Sequence, residues 1–289
     1  MTIPSIPEIE TRLFLEALKL RHGYDFGGYS PASLRRRLET LRTRHGCASL
    51  LELLPRLLHE ERFVGTVIGD LSVPVTEMFR DPALHLTLRD QVVPYLATYP
   101  RLQVWIPGCA SGEEAFSLAI LLHEMGLLSV TTLFATDIND QAMAVGEEGV
   151  YPRARVSGFA RHYQRSGGHG SILDYFELDQ EHARVIAPIR QHIVFAHHNL
   201  VTDGVFAETQ LIYCANVLIY FKTHLKNRVL GMFRDSLVQG GFLCLGSQES
   251  LTGSVVDDAF AAVDSLSRVY RSRYVHPHPS PGRASRFTG

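Results

Sequence analysis

No run of about 18 apolar residues occurs in this chain of 289 residues, which excludes an ordinary membrane-spanning helix. The opening Met1-Thr2-Ile3-Pro4-Ser5-Ile6-Pro7 lacks the basic and apolar regions of a secretory signal, so the cytoplasm is the expected compartment, without direct membrane insertion. Neither sign of charge dominates: 28 Lys and Arg face 30 Asp and Glu, for a net charge of -2, and nothing global points to nucleic acid. Cysteine is scarce and scattered. Cys47, Cys109, Cys214 and Cys244 lie far apart, three of them in or beside apolar strand-like runs, so they read as reduced core or loop residues and no metal is expected. No Ser-His-Asp, Cys-His or paired-carboxylate pattern stands out, which argues against chemistry built on an activated nucleophile or a general acid-base pair.

What the chain does have is a change of rhythm. Up to about residue 90 the apolar residues keep helical spacing: Ile9, Leu13, Phe14, Ala17 and Leu18, then Leu34, Leu38 and Leu41, then Leu50 to Leu58 and Phe63 to Leu71. A helical domain with a linker is expected over residues 1–90. Ser30-Pro31 reads as an N-cap with proline in the first turn, opening a helix from Leu34 to Arg44 with an arginine-rich side. A charge run is most often a solvated face; here Arg35, Arg36 and Arg37 could also dock an acidic partner through bidentate pairing.

From Leu102 onward strands alternate with helices, predicting strands at 102–106, 131–136, 193–196, 211–214 and 242–245 and helices over 113–125, 140–147 and 223–238. This is the pattern of an α/β doubly wound, Rossmann-like sheet, expected over residues 91–275. Turn residues at 165–171 and short apolar runs at 174–178 and 183–186 interrupt the alternation, which predicts a small antiparallel β-subdomain inserted at about 158–190. The proline-punctuated end, 276–289, reads as a disordered tail.

Such a sheet takes its ligand at the carboxyl ends of its strands, where Gly108, Asp137, Asn199 and Asn216 all fall. In Val104-Trp105-Ile106-Pro107-Gly108-Cys109-Ala110-Ser111-Gly112-Glu113-Glu114, small residues at a strand-to-helix turn predict a ligand lying against bare backbone, with the helix-opening amides facing it. Asp137 ends the next strand roughly 20-odd residues on, where a carboxylate can take both hydroxyls of a ribose. Glu113 and Glu114 at the helix start argue against a pyrophosphate, and the G-x-G-x-x-G spacing of a dehydrogenase is missing. S-adenosylmethionine, with a ribose, no phosphate and a cationic amino acid end, meets these demands.

Five stretches together resemble the CheR-type chemoreceptor glutamate methyltransferases: Thr76 to Asp81, Cys109 to Glu114, Ala135 to Ile138, His198-Asn199-Leu200, and Tyr213 to Phe221; Gly246 to Leu251 and Val269-Tyr270 add to the likeness. The resemblance spans nearly the whole chain. It implies a class I methyltransferase sheet with an all-α N-terminal domain, methylating receptor glutamates from S-adenosylmethionine and releasing S-adenosylhomocysteine. Carried over residue by residue, Thr76 and Arg80 reach the cofactor, Glu113 or Glu114 holds its amino group, Asp137 the ribose, and Asn199 with Leu200 the adenine side. Asn216 lies at a strand end, Tyr220 follows near the methyl group, and Arg80 with Tyr220 would orient the substrate carboxylate. The partner implied is an acidic helical region of a chemoreceptor, and in some members also a receptor C-terminal peptide gripped by the β-subdomain. One departure stands out. The family's Cys-Arg-Asn-Val is here Cys214-Ala215-Asn216-Val217, so either Arg80 or another cation does the missing guanidinium's work, or the protein binds cofactor as a regulator with weak or no turnover. A small-molecule methyltransferase would share the pocket without needing the basic helix.

Overall fold

The computed structural model describes residues 3–72, 76–264 and 268–273. The expected tail at 276–289 lies outside them. Helices α1 (Ile6–His22), α2 (Pro31–Arg44), α3 (Leu54–His59) and α4 (Glu61–Leu71) pack around one apolar cluster that includes Phe14, Leu18, Leu34, Leu38, Leu41, Leu57, Phe63 and Val67. Helix α1 starts on a capping box between Ser5 and Glu8 and ends at Gly23 in the left-handed region. Its inward ridge is Phe14 and Leu18. Ile9 and Leu13, also expected inward, are 42% and 50% exposed, because one narrow ridge suffices to meet α3 and the turn at Leu50–Leu53.

The next helices belong to a different core. In α5 (Pro82–Thr87), the π-helical turn Leu88–Val92 and α6 (Val93–Leu96), residues Leu84, Leu88, Val92 and Leu96 are fully buried in the cluster that lies against the sheet. That sheet is built from β1 (Leu102–Pro107), α7 (Glu113–Glu124), β2 (Thr131–Asp137) and α8 (Asp140–Glu148). The chain then leaves it for an insertion of β3 (Val150–Pro152), α9 (Val156–Arg165), β4 (Phe176–Leu178), β5 (His182–Val185) and α10 (Ala187–Arg190). It returns through β6 (Ile193–His197), β7 (Thr209–Cys214), α11 (Thr223–Ser236), β8 (Leu237–Leu245), β9 (Phe260–Asp264) and β10 (Val269–Ser272).

The seven strands order as β6-β2-β1-β7-β8-β10-β9, with β10 antiparallel to both of its neighbours and the rest parallel. This is the doubly wound sheet the sequence predicts. Its order reverses between β1 and β7, the crevice where such sheets bind ligands. The small sheet, β3-β5-β4, is antiparallel as expected, and it draws one strand from Val150–Pro152, upstream of residue 158. Three residues with a proline carry too little alternation to be read as a strand. The insertion is tied to α7 at Glu124, which accepts from the Tyr163 and Tyr175 hydroxyls and forms a buried pair with Arg89 of the π-helical turn; Arg89 in turn bonds the Ser166 carbonyl of the insertion.

Candidate functional site

The loop after β1 is set by conformation. Gly108 and Gly112 have φ of +71° and +84°, and Ala110 accepts +47°. A Cβ on Gly108 would stand 2.4 Å from the Val217 side chain, so only glycine lets the loops after β1 and β7 meet. Asn216 also has positive φ, so two strained non-glycine positions, Ala110 and Asn216, line one crevice, as functional sites commonly show.

The loop amides are turned inward. Gly108 and Cys109 donate to the Thr136 carbonyl, Gly112 to the Cys109 carbonyl, and Ala110 to Asp137 Oδ2 at 2.9 Å. The tight turn consumes these four amides. What the loop offers instead is a held carboxylate. Asp137 Oδ1 accepts from the Asn139 N–H at 2.9 Å, so main-chain donors on both sides fix its plane. Burial pushes its pKa up while those amides oppose the shift, the arrangement of a carboxylate kept ready for further hydroxyl donors.

The adjacent glutamates separate. Glu113 is fully buried and bonds Arg155 Nη1 and the Ser111 hydroxyl, each at 2.6 Å; Arg155 also reaches the Thr76 carbonyl. It lies outside the cleft lining: one helix step turns Glu113 toward the insertion and Glu114 toward the crevice. Glu114 accepts from the Tyr213 hydroxyl at 3.0 Å and the Arg80 N–H at 3.2 Å, and burial raises its pKa to about 8. Behind it stands His85, fully buried, with Nε2 3.6 Å from Glu114 Oε2.

Two adjoining clefts share Gly108, Asn216 and Tyr220. One, of about 700 Å³ counted to its open mouth, is walled by Asp137, Ile138, His198, Leu200 and Val217 and roofed by Arg37, Leu71 and Ser72 of the N-terminal helices. The other is walled by Thr76, Arg80, Glu114, Tyr213 and Ala215. Thr76, Arg80, Gly108, Glu114, Asp137, Leu200, Asn216 and Tyr220 therefore converge. Asn199 does not line either cleft: its Oδ1 accepts from the Val201 N–H and its own N–H bonds Asp203, so it shapes the turn carrying His198 and Leu200.

The three arginines of α2 part company as well. Arg35 and Arg36 are exposed, but Arg37 bonds the carbonyls of Leu71 and Ser72 and lies 5.4 Å from the Tyr220 ring centroid. Successive helix positions point about 100° apart, so a run of three cannot form one docking face. Sequence reasoning missed Arg37 as a wall of the cleft, and also His198 and Ile138; only the placement of α2 and α4 over the sheet reveals the first of these.

Residues 74–269 match the SAM binding domain of CheR methyltransferases, and residues 9–72 match their all-alpha domain. The chain belongs to the CheR methyltransferase family. It is 41% identical to Cher3, named a methyltransferase, of Pseudomonas putida, over 94% of this chain and 99% of that protein. It is 29% identical to a chemotaxis protein methyltransferase of Vibrio parahaemolyticus and 27% identical to chemotaxis protein methyltransferase 1 of Vibrio cholerae, each over 88% of this chain and 93% of the relative. S-adenosylmethionine-dependent methylation is the family's chemistry, and the clefts fit that donor: a carboxylate at the β2 end for a ribose, a second for an ammonium, and apolar walls between. Among the described residues no helix is long and apolar enough to cross a membrane, and no group of three or more His, Cys, Asp or Glu is gathered as a metal site.

Proposed function

We propose that the protein methylates glutamate side chains of a chemoreceptor, forming glutamate methyl esters. The observation that carries this reading is the junction of the two clefts, where Tyr220 meets Arg80 on one side and Arg37 on the other, next to the carboxylates that suit the donor. Bound S-adenosylmethionine would supply an electrophilic methyl on a sulfonium.

The residues then have a division of labour. Asp137 takes the ribose hydroxyls, Glu114 the amino group, and Ile138, Leu200 and Val217 the base side; Thr76, Gly108 and Asn216 complete the walls. Arg80 and Tyr220 orient the incoming carboxylate. A glutamate with an ordinary pKa near 4.3 is already ionised at neutral pH, so no general base is needed, and none of the cleft residues has to supply one. Holding oxygen, carbon and sulfur in line can supply up to about 7 to 11 kcal/mol, while the apolar parts of the walls disfavour the two charges that vanish in the transition state. An arginine that pairs too tightly would dull the nucleophile, so its role is positioning.

The partner in this reading is the acidic helical region of a receptor, met in the cytoplasm. Arg35 and Arg36 are exposed cations of α2, the helix whose Ser33, Leu34 and Arg37 line the first cleft. Charge reversal of both to Glu is expected to raise KM for receptor membranes about 10-fold at low salt and to flatten the salt dependence, with kcat little changed. Unchanged KM at every ionic strength would remove them from docking. A receptor C-terminal peptide could add a strand at β3 or β4, the two edges of the small sheet. The test of the whole reading is transfer of a labelled methyl to receptor fragments, recovered as a base-labile ester on glutamate; label on small molecules alone would overturn it.

Ala215 bears on turnover because it lines the second cleft with Arg80 and Glu114. A hydrogen bond from a charged group contributes about 1.5 to 3 kcal/mol, so Ala215→Arg is expected to raise kcat/KM roughly 10-fold. No gain in that assay would mean that Arg37 and Arg80 already supply the guanidinium.

A further inference from the structure

The turn after β7 carries Asn216, Val217 and, three residues on, Tyr220; its short helical end is closed by the Tyr220 N–H on the Val217 carbonyl and the Phe221 N–H on the Leu218 carbonyl, and the Ser30 N–H bonds the Tyr220 carbonyl, but none of these bonds involves Asn216. Asn216 has φ of +63°, a conformation a non-glycine residue keeps only under external constraint. The constraint is one side chain. Glu249, only 5% exposed, accepts from four main-chain donors: Asn216 N at 3.0 Å and Gly246 N at 2.7 Å on Oε2, Val217 N at 3.0 Å and Leu218 N at 2.6 Å on Oε1.

We infer that Glu249 is a positioning residue of the methyl-transfer site, setting Asn216 and Tyr220 against the two clefts through the amides of their turn. The buried carboxylate touches neither cleft. Its neighbourhood is built for this alone: a Cβ on Gly246 would stand 2.9 Å from Asn216 N and 2.9 Å from Glu249 Oε2, so glycine there lets the β8 loop close on the turn. The turn in turn presses Val217 onto Gly108, which links the clamp to the loop bearing the Ala110 bond to Asp137. Four charge-assisted bonds on one carboxylate use all of its in-plane acceptor sites, so an amide in its place leaves two donors facing an NH2 group.

Glu249→Gln is therefore expected to weaken S-adenosylmethionine binding about 10-fold and to lower kcat 10- to 100-fold per folded molecule, measured well below the melting transition. A role confined to stability would shift the melting temperature and leave the constants of the folded fraction alone. Because Gln could prevent folding, Gly246→Ala is measured beside it: it keeps the carboxylate but presses a methyl on the same turn, and should give the same pattern with smaller amplitude. The inference falls if every folded variant shows wild-type donor affinity and kcat, or if both variants fail to fold, which would make the clamp a folding element. The inference rests on the methyl-transfer reading for kcat only. If the wild-type protein methylates no receptor fragment, donor affinity by itself decides for or against Glu249.

Discussion

S-adenosylmethionine affinity is expected to fall about 10-fold for each pH unit below 8, with close to one proton released on binding at pH 7, and Glu114→Gln is expected to abolish both effects while weakening binding about 10- to 100-fold at pH 9. Burial is the main cause that raises the Glu114 carboxyl to about 8; the Tyr213 hydroxyl and the Arg80 N–H and charge oppose it, and Asp81 adds to it. His85 cannot serve as its counter-cation. Its Nδ1 lies 2.9 Å from the Asp81 carbonyl and so carries the proton, leaving a lone pair on Nε2 toward Glu114, and burial depresses the ring to about 4 despite Asp81, with Arg89 adding to the depression. The free protein at neutral pH thus holds Glu114 mostly protonated. An ammonium needs the ionised form, so the competent state is the deprotonated one: affinity rises with pH up to about 8, and above it the donor's own amino group, with an ordinary pKa of about 8, begins to lose its proton. Titration calorimetry at pH 6 to 9 in two buffers of different ionisation heat reads the proton directly. Equal affinity at pH 6 and pH 9, with no buffer-dependent heat, would take the amino group away from Glu114.

The strands of the parallel sheet were legible because both faces are covered: β1, β2, β7 and the end of β8 read as continuous apolar runs, and their order placed Gly108, Asp137 and Asn216 at one edge. Asp137 was legible by its place at a strand end. The choice between Glu113 and Glu114 was not, since it depends on Arg155, which lies in an insertion about 40 residues away and claims Glu113. The role of Arg37 was hidden for the same kind of reason: its partners are carbonyls of Leu71 and Ser72 and the Tyr220 ring, which lies more than 180 residues away on the turn after β7. The turn bonds of Asn199 were not legible, because an asparagine at a strand end serves a turn as readily as a ligand. Glu249 carried no local signal at all, because its four partners are backbone amides, which every residue has.

Asp137→Ala is expected to lower donor affinity by about 100-fold or more, the largest single loss at the site. Two hydrogen bonds from hydroxyls to a charged acceptor are worth about 1.5 to 3 kcal/mol each, and the change also strands the Ala110 and Asn139 amides, relaxing a loop that holds Ala110 at φ of +47°. Loop disorder alone could lower affinity, so the decisive measurement is a cycle with a donor lacking the ribose 2′-hydroxyl. Against wild-type protein that analogue should bind 10-fold or more weaker than S-adenosylmethionine; against Asp137→Ala the two should bind alike, giving a coupling energy that loop disorder cannot produce. The pH dependence set by Glu114 should persist in Asp137→Ala, because the two carboxylates serve opposite ends of the donor. Equal binding of parent and deoxy donor to the wild-type protein would mean that Asp137 serves only to fold the loop, and that the ribose is held elsewhere.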